Sequence, residues 1–385
     1  MFNFSQSKQK DATLLIDITE DGLSALVVKE DGGKPMVLAL AERDFLPHQK
    51  EKESYFSAML EALESALTEL APSLSVSKTV FFLPPSLYAT DFLKIKEERS
   101  KPFAVTPSLV GTLIERAVAQ KGSFVTKEGQ GKALPIEKRL THITLNGYCL
   151  SSPYGKKTPQ MEISLFLAVS SEEYLEKLKS LLSRYTSHNH VLFFARPVAF
   201  AASLYHHVYT NPGTFLLFIA EKSTSTLVSI EEGHLVDALA IPFGKETIIE
   251  RSAKGLGVLP AELEEGLTAQ EKRSARDTAL WHKKIRLETK SLLIPFFETV
   301  ADKSFLSKNL CVVGKNAEVI FWQNIFKEED FWTGTDLFRG ITQKENILPE
   351  LFIPAENDQV LRTGTVPLST SLILGTLFLT TVGEV

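Results

Sequence analysis

Two stretches of this chain, Thr13–Lys34 and Thr214–His234, match at a constant offset. Each gives an apolar run, a polar turn, a second apolar run and an acidic turn. The first copy carries Asp17 at the end of its opening run, and the second has Ile219 in that place. A duplicated unit of this kind predicts two similar domains facing each other across a cleft. An acid present in one copy and absent from the other raises the question of whether the two copies still share one chemistry. The second turn offers Lys222 and the hydroxyls of Ser223, Thr224 and Ser225, groups able to touch an anion. His188-Asn189-His190 and His206-His207 are the close histidine pairs. Neither has a cysteine or a regular carboxylate partner at ligand spacing, so loop and helix-surface histidines are expected. No G-x-S-x-G, H-E-x-x-H or Walker A pattern occurs. Glu262–Lys290 carries many charges of both signs. That reads as a solvated helical face, with a partner-binding face as the sharper alternative.

At 385 residues the chain exceeds one typical core, and two or three domains are expected. The net charge of -5 argues against a broad nucleic-acid footprint, which needs a basic surface. The two cysteines, Cys149 and Cys311, lie far apart in apolar or strand-like stretches, which predicts free thiols in a reducing compartment. Met1–Lys10 lacks the apolar core of a signal peptide. Its Phe2 and Phe4, followed by Lys8 and Lys10, read as a flexible tail, with a membrane-touching arm as the alternative. Leu368–Val382 is the most apolar stretch. It is shorter than the roughly 20 residues of a spanning helix, and threonines and serines interrupt it, so a buried C-terminal helix is expected. These features predict a soluble, cytoplasmic protein.

The elements that must position the two turns follow from periodicity. Thr13–Ile18, Leu23–Val28 and Pro35–Ala41 read as a meander of three strands, with a turn at Asp21-Gly22. Ser54–Leu70 has helical spacing through Phe56, Met59, Leu63 and Leu67, and Lys78–Leu83 is a buried-strand run. The second half repeats the order. After its meander come helices over Lys245–Gly255 and Pro260–Leu267. A long charged helix over about Ala269–Leu293 follows, with Leu280, Ile285, Leu287 and Leu292 apolar, and then a strand over Asn309–Val313 ended by Gly314. Between the halves, Asp91–Glu97 alternates like a strand and Thr106-Pro107 starts a helix. Lys121–Glu137 reads as a loop, and Leu140–Leu150 and Met161–Val169 as two further strands. A helix over Ser171–Tyr185 and a strand over Val191–Ala195 lead back.

In order of elements nearly the whole chain resembles the FtsA/PilM branch of bacterial actin-like proteins. The residues that carry the likeness are Ile143–Lys157, which sits where those proteins have the later strands of an inserted SHS2 module; Ala195–Ser203 with Arg196-Pro197, where their chain re-enters the first domain; and Thr370–Leu379, similar to their closing helix. The resemblance implies an α/β, duplicated actin-like (ribonuclease H-like) fold, two lobes around a cleft, with an SHS2-like insert. The implied boundaries are 1–90 for the first lobe, 91–190 for the insert, 191–210 for the return, and 211–385 for the second lobe, with a helical outer subdomain over about 245–305. Members often end in a basic amphipathic membrane helix, which is not expected here, where the chain stops at Gly383-Glu384-Val385.

In that family the first phosphate loop is a strand ending in Asp-Ile-Gly. Its acid holds magnesium through water and its glycine lets backbone amides approach the phosphates. The resemblance therefore implies Asp17 as the metal ligand and Gly22 as a source of flexibility. Thr19 stands at the glycine position, however, and Glu20 and Asp21 would repel a polyphosphate. The plainer reading is a hairpin with a solvated carboxylate. In the second loop, Ile219–Ser225 has lost the acid and the glycines, leaving Lys222, Ser223 and Ser225 as anion contacts; a surface hairpin is the plainer reading there. The adenosine motif keeps one glycine, Gly314, which a strand-to-helix junction needs in any case. ATP and Mg2+ are the cofactors the resemblance implies, and the loops predict that neither is retained tightly.

The function expected from this is a scaffold with little or no ATPase activity. It would act in cell division or type IV pilus assembly at the inner membrane face, through protein partners and with only indirect membrane contact. Self-association is a further expectation; nucleic acid is not. The alternative is an ATP/Mg-dependent switch or polymerising ATPase that uses Asp17, Lys222 and Gly314 in altered geometry. A sugar or acetate kinase relative would need an intact phosphate loop, and the sequence has none.

Overall fold

The computed structural model describes residues 12–31, 34–45, 52–120, 132–150, 152–187, 190–207, 214–231, 234–268, 275–301, 309–332, 350–352, 361–362 and 370–381. The chain divides into two compact units, Met1–Ala199 with Gln359–Thr365, and Phe200–Asp358 with Val366–Val385.

The first unit opens with β1 (Ala12–Ile18), β2 (Gly22–Asp31) and β3 (Lys34–Asp44), an antiparallel meander. Helix α1 (Lys52–Leu70) then leads to β4 (Val76–Leu83), which runs parallel to β1. β1 lies between two strands and is buried along its whole length, as the continuous apolar run predicts for a strand covered on both faces. Leu14, Ile16 and Ile18 pack with Met59, Leu63 and Leu67 of α1. Asp17 is on the alternate face, because successive strand residues point to opposite sides.

The chain then forms a second, four-stranded antiparallel sheet from β5 (Tyr88–Ala104), β6 (Ala133–Leu145), β7 (Tyr148–Cys149) and β8 (Lys157–Ser171), in the order β5-β8-β6-β7. Helix α2 (Pro107–Gln120) follows β5, and the Leu109 amide donates to the Thr106 hydroxyl in its first turn. Val110 and Leu113 of α2 close a separate core over Leu93, Ile95, Ile143 and Ile163. The expected loop over Lys121–Glu137 is corrected at its end. Ala133–Glu137 already belongs to β6, whose Leu134 and Ile136 pack on the first core; residues 121–131 lie outside the described set. Helix α3 (Glu172–Leu182) and β9 (Val191–Ala195) follow, and β9 joins the first sheet parallel to β4. Helix α4 (Arg196–His207) begins directly after β9 and carries the chain on.

The second unit repeats the scheme with β10 (Phe215–Ala220), β11 (Ser225–Glu231) and β12 (His234–Ile241). Three helices follow, α5 (Lys245–Leu256), α6 (Pro260–Thr268) and α7 (Ala275–Ala301), and then β13 (Asn309–Gly314) parallel to β10. Helices α8 (Asn316–Phe326) and α9 (Glu329–Trp332) come next, with β14 (Glu350–Phe352) at the sheet edge. The described sheet order is β12-β11-β10-β13-β14, against β15-β3-β2-β1-β4-β9 in the first unit, where β15 (Leu361–Arg362) joins β3. The duplication holds residue by residue. Asp17 lies opposite Ser24 and beside Phe82, whereas Ile219 lies opposite Thr226 and beside Val313.

Helix α7 differs from expectation in two ways. Leu280 and Leu287 are 54% and 55% exposed, and the residues that enter the core are Trp281, Ile285, Leu293, Phe297 and Val300. The helix also runs past Leu293 to Ala301 through Pro295. A helix-interior proline costs about 3 kcal/mol. Burying Phe297 and Val300 returns about 1.5–3 kcal/mol each, so packing wins. Residues 269–274 of the expected helix lie outside the described set. The C-terminal helix α10 (Thr370–Thr381) buries Leu372, Leu374, Leu377 and Phe378, as its composition predicts. Among the described residues no helix is long and apolar enough to cross a membrane. Cys149 is exposed and Cys311 is buried, and both are free thiols.

Candidate functional site

In the first unit the hairpin turn after β1 is tied up internally. The Thr19 amide donates to the Gly22 carbonyl at 2.8 Å, and the Thr19 hydroxyl lies 2.9 Å from both that carbonyl oxygen and Asp21 Oδ1. The Tyr55 hydroxyl donates to the Thr19 carbonyl at 3.0 Å. Gly22 pairs with Asp44, and a Cβ there would stand 2.6 Å from the Arg43 carbonyl oxygen. Strand packing thus accounts for this glycine.

Asp17 is not a solvated carboxylate. It is 2% exposed, and the guanidinium of Arg196 meets it, with Nε 2.8 Å from Oδ1 and Nη2 3.5 Å from Oδ2. The order β1-β4-β9 produces this pairing. Arg196 is the first residue after β9, and its long side chain reaches past β4 to the end of β1. Both side chains are withdrawn from water, at 2% and 3% exposure. Burying two charges is costly, and their mutual neutralisation offsets part of that cost. The cation at this carboxylate is therefore part of the chain.

Next to Arg196, the amide of Ala195 donates to Glu137 Oε2 at 3.4 Å. Burial pushes the Glu137 carboxyl up to about 7, opposed by the Arg139 charge and by that amide bond. The Arg139 guanidinium is 3.8 Å from Oε1.

In the second unit the turn after β10 has its donors directed at carboxylates. The Ser223 hydroxyl donates to Glu246 Oε2 at 3.1 Å, and the Thr224 hydroxyl to Glu221 Oε2 at 3.2 Å. Ser225 is buried in β11, and its Oγ has no hydrogen-bond partner among the described residues. The Lys222 carbonyl accepts the Glu246 amide at 2.9 Å, so a first-turn amide of α5 is spent on the protein itself. Ile219, at the position of Asp17, is 2% exposed.

The Lys222 side chain lines a cavity of about 180 Å³ together with Lys245, Glu246, Glu250, Glu264 and Glu318. Lys245 is ion-paired with Glu264. Glu318, in the first turn of α8, is itself buried. Four carboxylates therefore face two ammonium groups. Near a protein surface two like charges 4 Å apart repel by about 4 kcal/mol. Gly314 ends β13 in register with Ala220, and a Cβ there would stand 2.4 Å from the Ala220 carbonyl oxygen. The close approach of two backbones thus accounts for Gly314 without a ligand.

The residues singled out in the sequence fall into two groups, Asp17 and Gly22 in the first unit, and Lys222, Ser223, Ser225 and Gly314 in the second. Arg196, Glu137, Glu246 and Glu318 were not legible as site residues. Their partners are distant in sequence or on other elements, and a lone acid or base carries no periodic signal. His190 and His206 are exposed, and among the described residues no group of three or more His, Cys, Asp or Glu side chains is placed to hold a metal.

No family model matches the chain, and no curated protein is similar to it in sequence. Solved structures do match. A chain of the PilM–PilN type IV pilus biogenesis complex superposes with a TM-score of 0.54 at 12% identity, over 80% of this chain and 82% of that one. The ethanolamine utilization protein EutJ from Carboxydothermus hydrogenoformans gives 0.44 at 11% identity, over 95% and 89% of the two chains. A Bacteroides thetaiotaomicron protein with actin-like ATPase fold gives 0.37 at 12% identity, over 67% and 81%. The chain has the actin-like fold.

Proposed function

We propose that this protein is an actin-fold scaffold that docks protein partners and does not turn over ATP. The observation that carries the reading is the buried Asp17–Arg196 pair. In the implied phosphate loop the acid is free to hold magnesium; here a guanidinium stands on it. Phosphoryl transfer is mostly positioning and charge neutralisation. The second loop supports the same reading, because Ile219 offers no ligand and the Lys222 cavity is lined by more acids than bases. A magnesium–triphosphate does not fit these residues.

The fold likeness to a chain of the PilM–PilN complex supports an assembly role of the pilus type ahead of a division role. On this reading the four-stranded sheet with α2 is an SHS2-type module. The protein works at the inner membrane face, which it reaches through its partners. Lys222, which has no ion-pair partner among the described residues, is the observation that favours the ATP-dependent switch as a second reading. Phosphate release in the presence of ATP and magnesium separates the two. The scaffold predicts a rate equal to that without protein, and turnover that disappears in Asp17→Ala would establish the switch instead.

A further inference from the structure

The two duplicated sheets differ at one edge. In each meander the third strand carries one extra residue at the same place. It is Leu38 in β3, between Val37 and Ala39, and Val236 in β12, between Leu235 and Asp237. The shared bulge aligns Val37 with Leu235 and Ala39 with Asp237. On its outer side β3 is covered by β15, which runs parallel to it with Leu361 beside Met36 and Arg362 beside Val37. Among the described residues no strand pairs with the corresponding side of β12.

An open strand edge is a template for a further strand unless charge, proline or cover blunts it. β5, at the edge of the four-stranded sheet, is blunted by Lys94, Lys96, Glu98 and Arg99. From Leu235 to Ile241, β12 has a single charged residue, Asp237. That side chain is 8% exposed, and its Oδ1 accepts the Ala238 amide at 3.0 Å. The other residues are apolar, and the side chains of Ala238 and Ala240 are small enough for a neighbouring segment to come close. Leu239 is only partly covered by the second core, so a strand laid beside it would extend that core. The bulge is no obstacle, because β3 has the same bulge and is paired.

We propose that the outer edge of β12 docks an extended, largely apolar segment of a partner protein as a parallel strand, held by main-chain hydrogen bonds along Leu235–Ile241. The sister edge identifies the kind of occupant, because the chain's own Leu361–Arg362 does the same for β3. Docking exchanges the Asp237–Ala238 bond for one to the incoming strand. A second copy of the chain is a poorer match. A two-fold axis pairs β12 with β12 antiparallel, against the direction found at β3, and brings two Asp237 carboxylates onto adjacent strands. The assignment rests on the scaffold reading and gives it a docking mode.

The test is selection of random phage-displayed peptides of about eight residues, enough for one strand, against the immobilised full-length chain. Synthetic versions of the selected peptides are then titrated by fluorescence polarisation. The expected peptides are rich in apolar residues and free of proline. Residues of a strand alternate in which neighbour they bond, so N-methylation at every second peptide position should lower affinity about tenfold or more, and methylation between them should not. Ala240→Pro, at an exposed position on an edge strand, should abolish binding and keep the wild-type melting temperature. The N-methyl series decides alone if that variant melts early, because it leaves the protein untouched. A nitroxide at the peptide N-terminus should broaden the Leu235 methyl resonances, and one at the C-terminus those of Ile241. No enriched peptide, indifference to N-methylation, or the reverse broadening pattern would overturn the proposal. Self-association lost in Ala240→Pro, measured by sedimentation, would also overturn it, because the edge would then join copies of this chain. A failed selection leaves the nucleotide argument standing, and ATP turnover would sink the scaffold without bearing on the peptides.

Discussion

Arg196 Nε lies 2.8 Å from Asp17 Oδ1 inside the first unit, although the two residues are 179 positions apart in sequence. The pair closes the end of β1, the strand from which an actin-like phosphate loop departs. It also makes the charge balance at the end of β1 depend on the fold, which brings the residue after β9 to that strand.

Removing one partner takes the opposite charge away from a buried ionised group. Asp17→Leu and Arg196→Met should each destabilise the first unit by about 3–5 kcal/mol. The double variant Asp17→Leu/Arg196→Met removes both charges and should recover most of that loss. Urea denaturation of the four proteins checks this. Additive losses in the double variant would mean that the two side chains act independently.

Glu137 predicts a pH dependence. Its carboxyl sits at about 7 in the folded chain against an ordinary 4.5. The folded state therefore holds a proton that the unfolded state has already released. Stability is full below about 4.5, falls as pH rises towards 7, and levels off above it, for a total of about 3 kcal/mol. Glu137→Gln keeps an acceptor for the Ala195 amide and should remove this slope. Denaturation midpoints at pH 5, 6 and 7.5 measure it, and parallel curves for the two proteins would refute the assignment.

Gly314 and Gly111 make a matched pair. Gly314→Ala drives a Cβ to 2.4 Å from the Ala220 carbonyl oxygen and should cost about 1–3 kcal/mol. Gly111→Ala, in α2 with nothing within 4 Å, should stabilise by up to about 1 kcal/mol. Thermal melts of both variants check the contrast. A silent Gly314→Ala would mean that packing does not require this glycine.

The strand–strand–strand–helix–strand order was legible in both halves because buried strands and amphipathic helices leave strong periodic signals. The Asp17-for-Ile219 mismatch was legible too, and the pairing register bears it out. The face of α7 was not. Ile285 and Leu292 pack on the core, but the equally apolar Leu280 and Leu287 are exposed; only a helix's neighbours decide which stripe is covered, and here Trp281 and Phe297 complete it. The start of β6 was hidden by a glycine- and lysine-rich stretch before it. Arg196 was visible as the residue after a strand, but its partner is set by the β1-β4-β9 order, which no local pattern encodes. The acidic lining of the Lys222 cavity is likewise assembled from α5, α6 and α8 and belongs to no single motif.

The central claim is that the chain's own arginine occupies the acid a magnesium–nucleotide would need. Titration of the full-length protein with a fluorescent ATP analogue and magnesium tests it most directly. The account predicts no saturable binding below about millimolar concentration. A Kd of about micromolar, lost in Asp17→Asn, would contradict it.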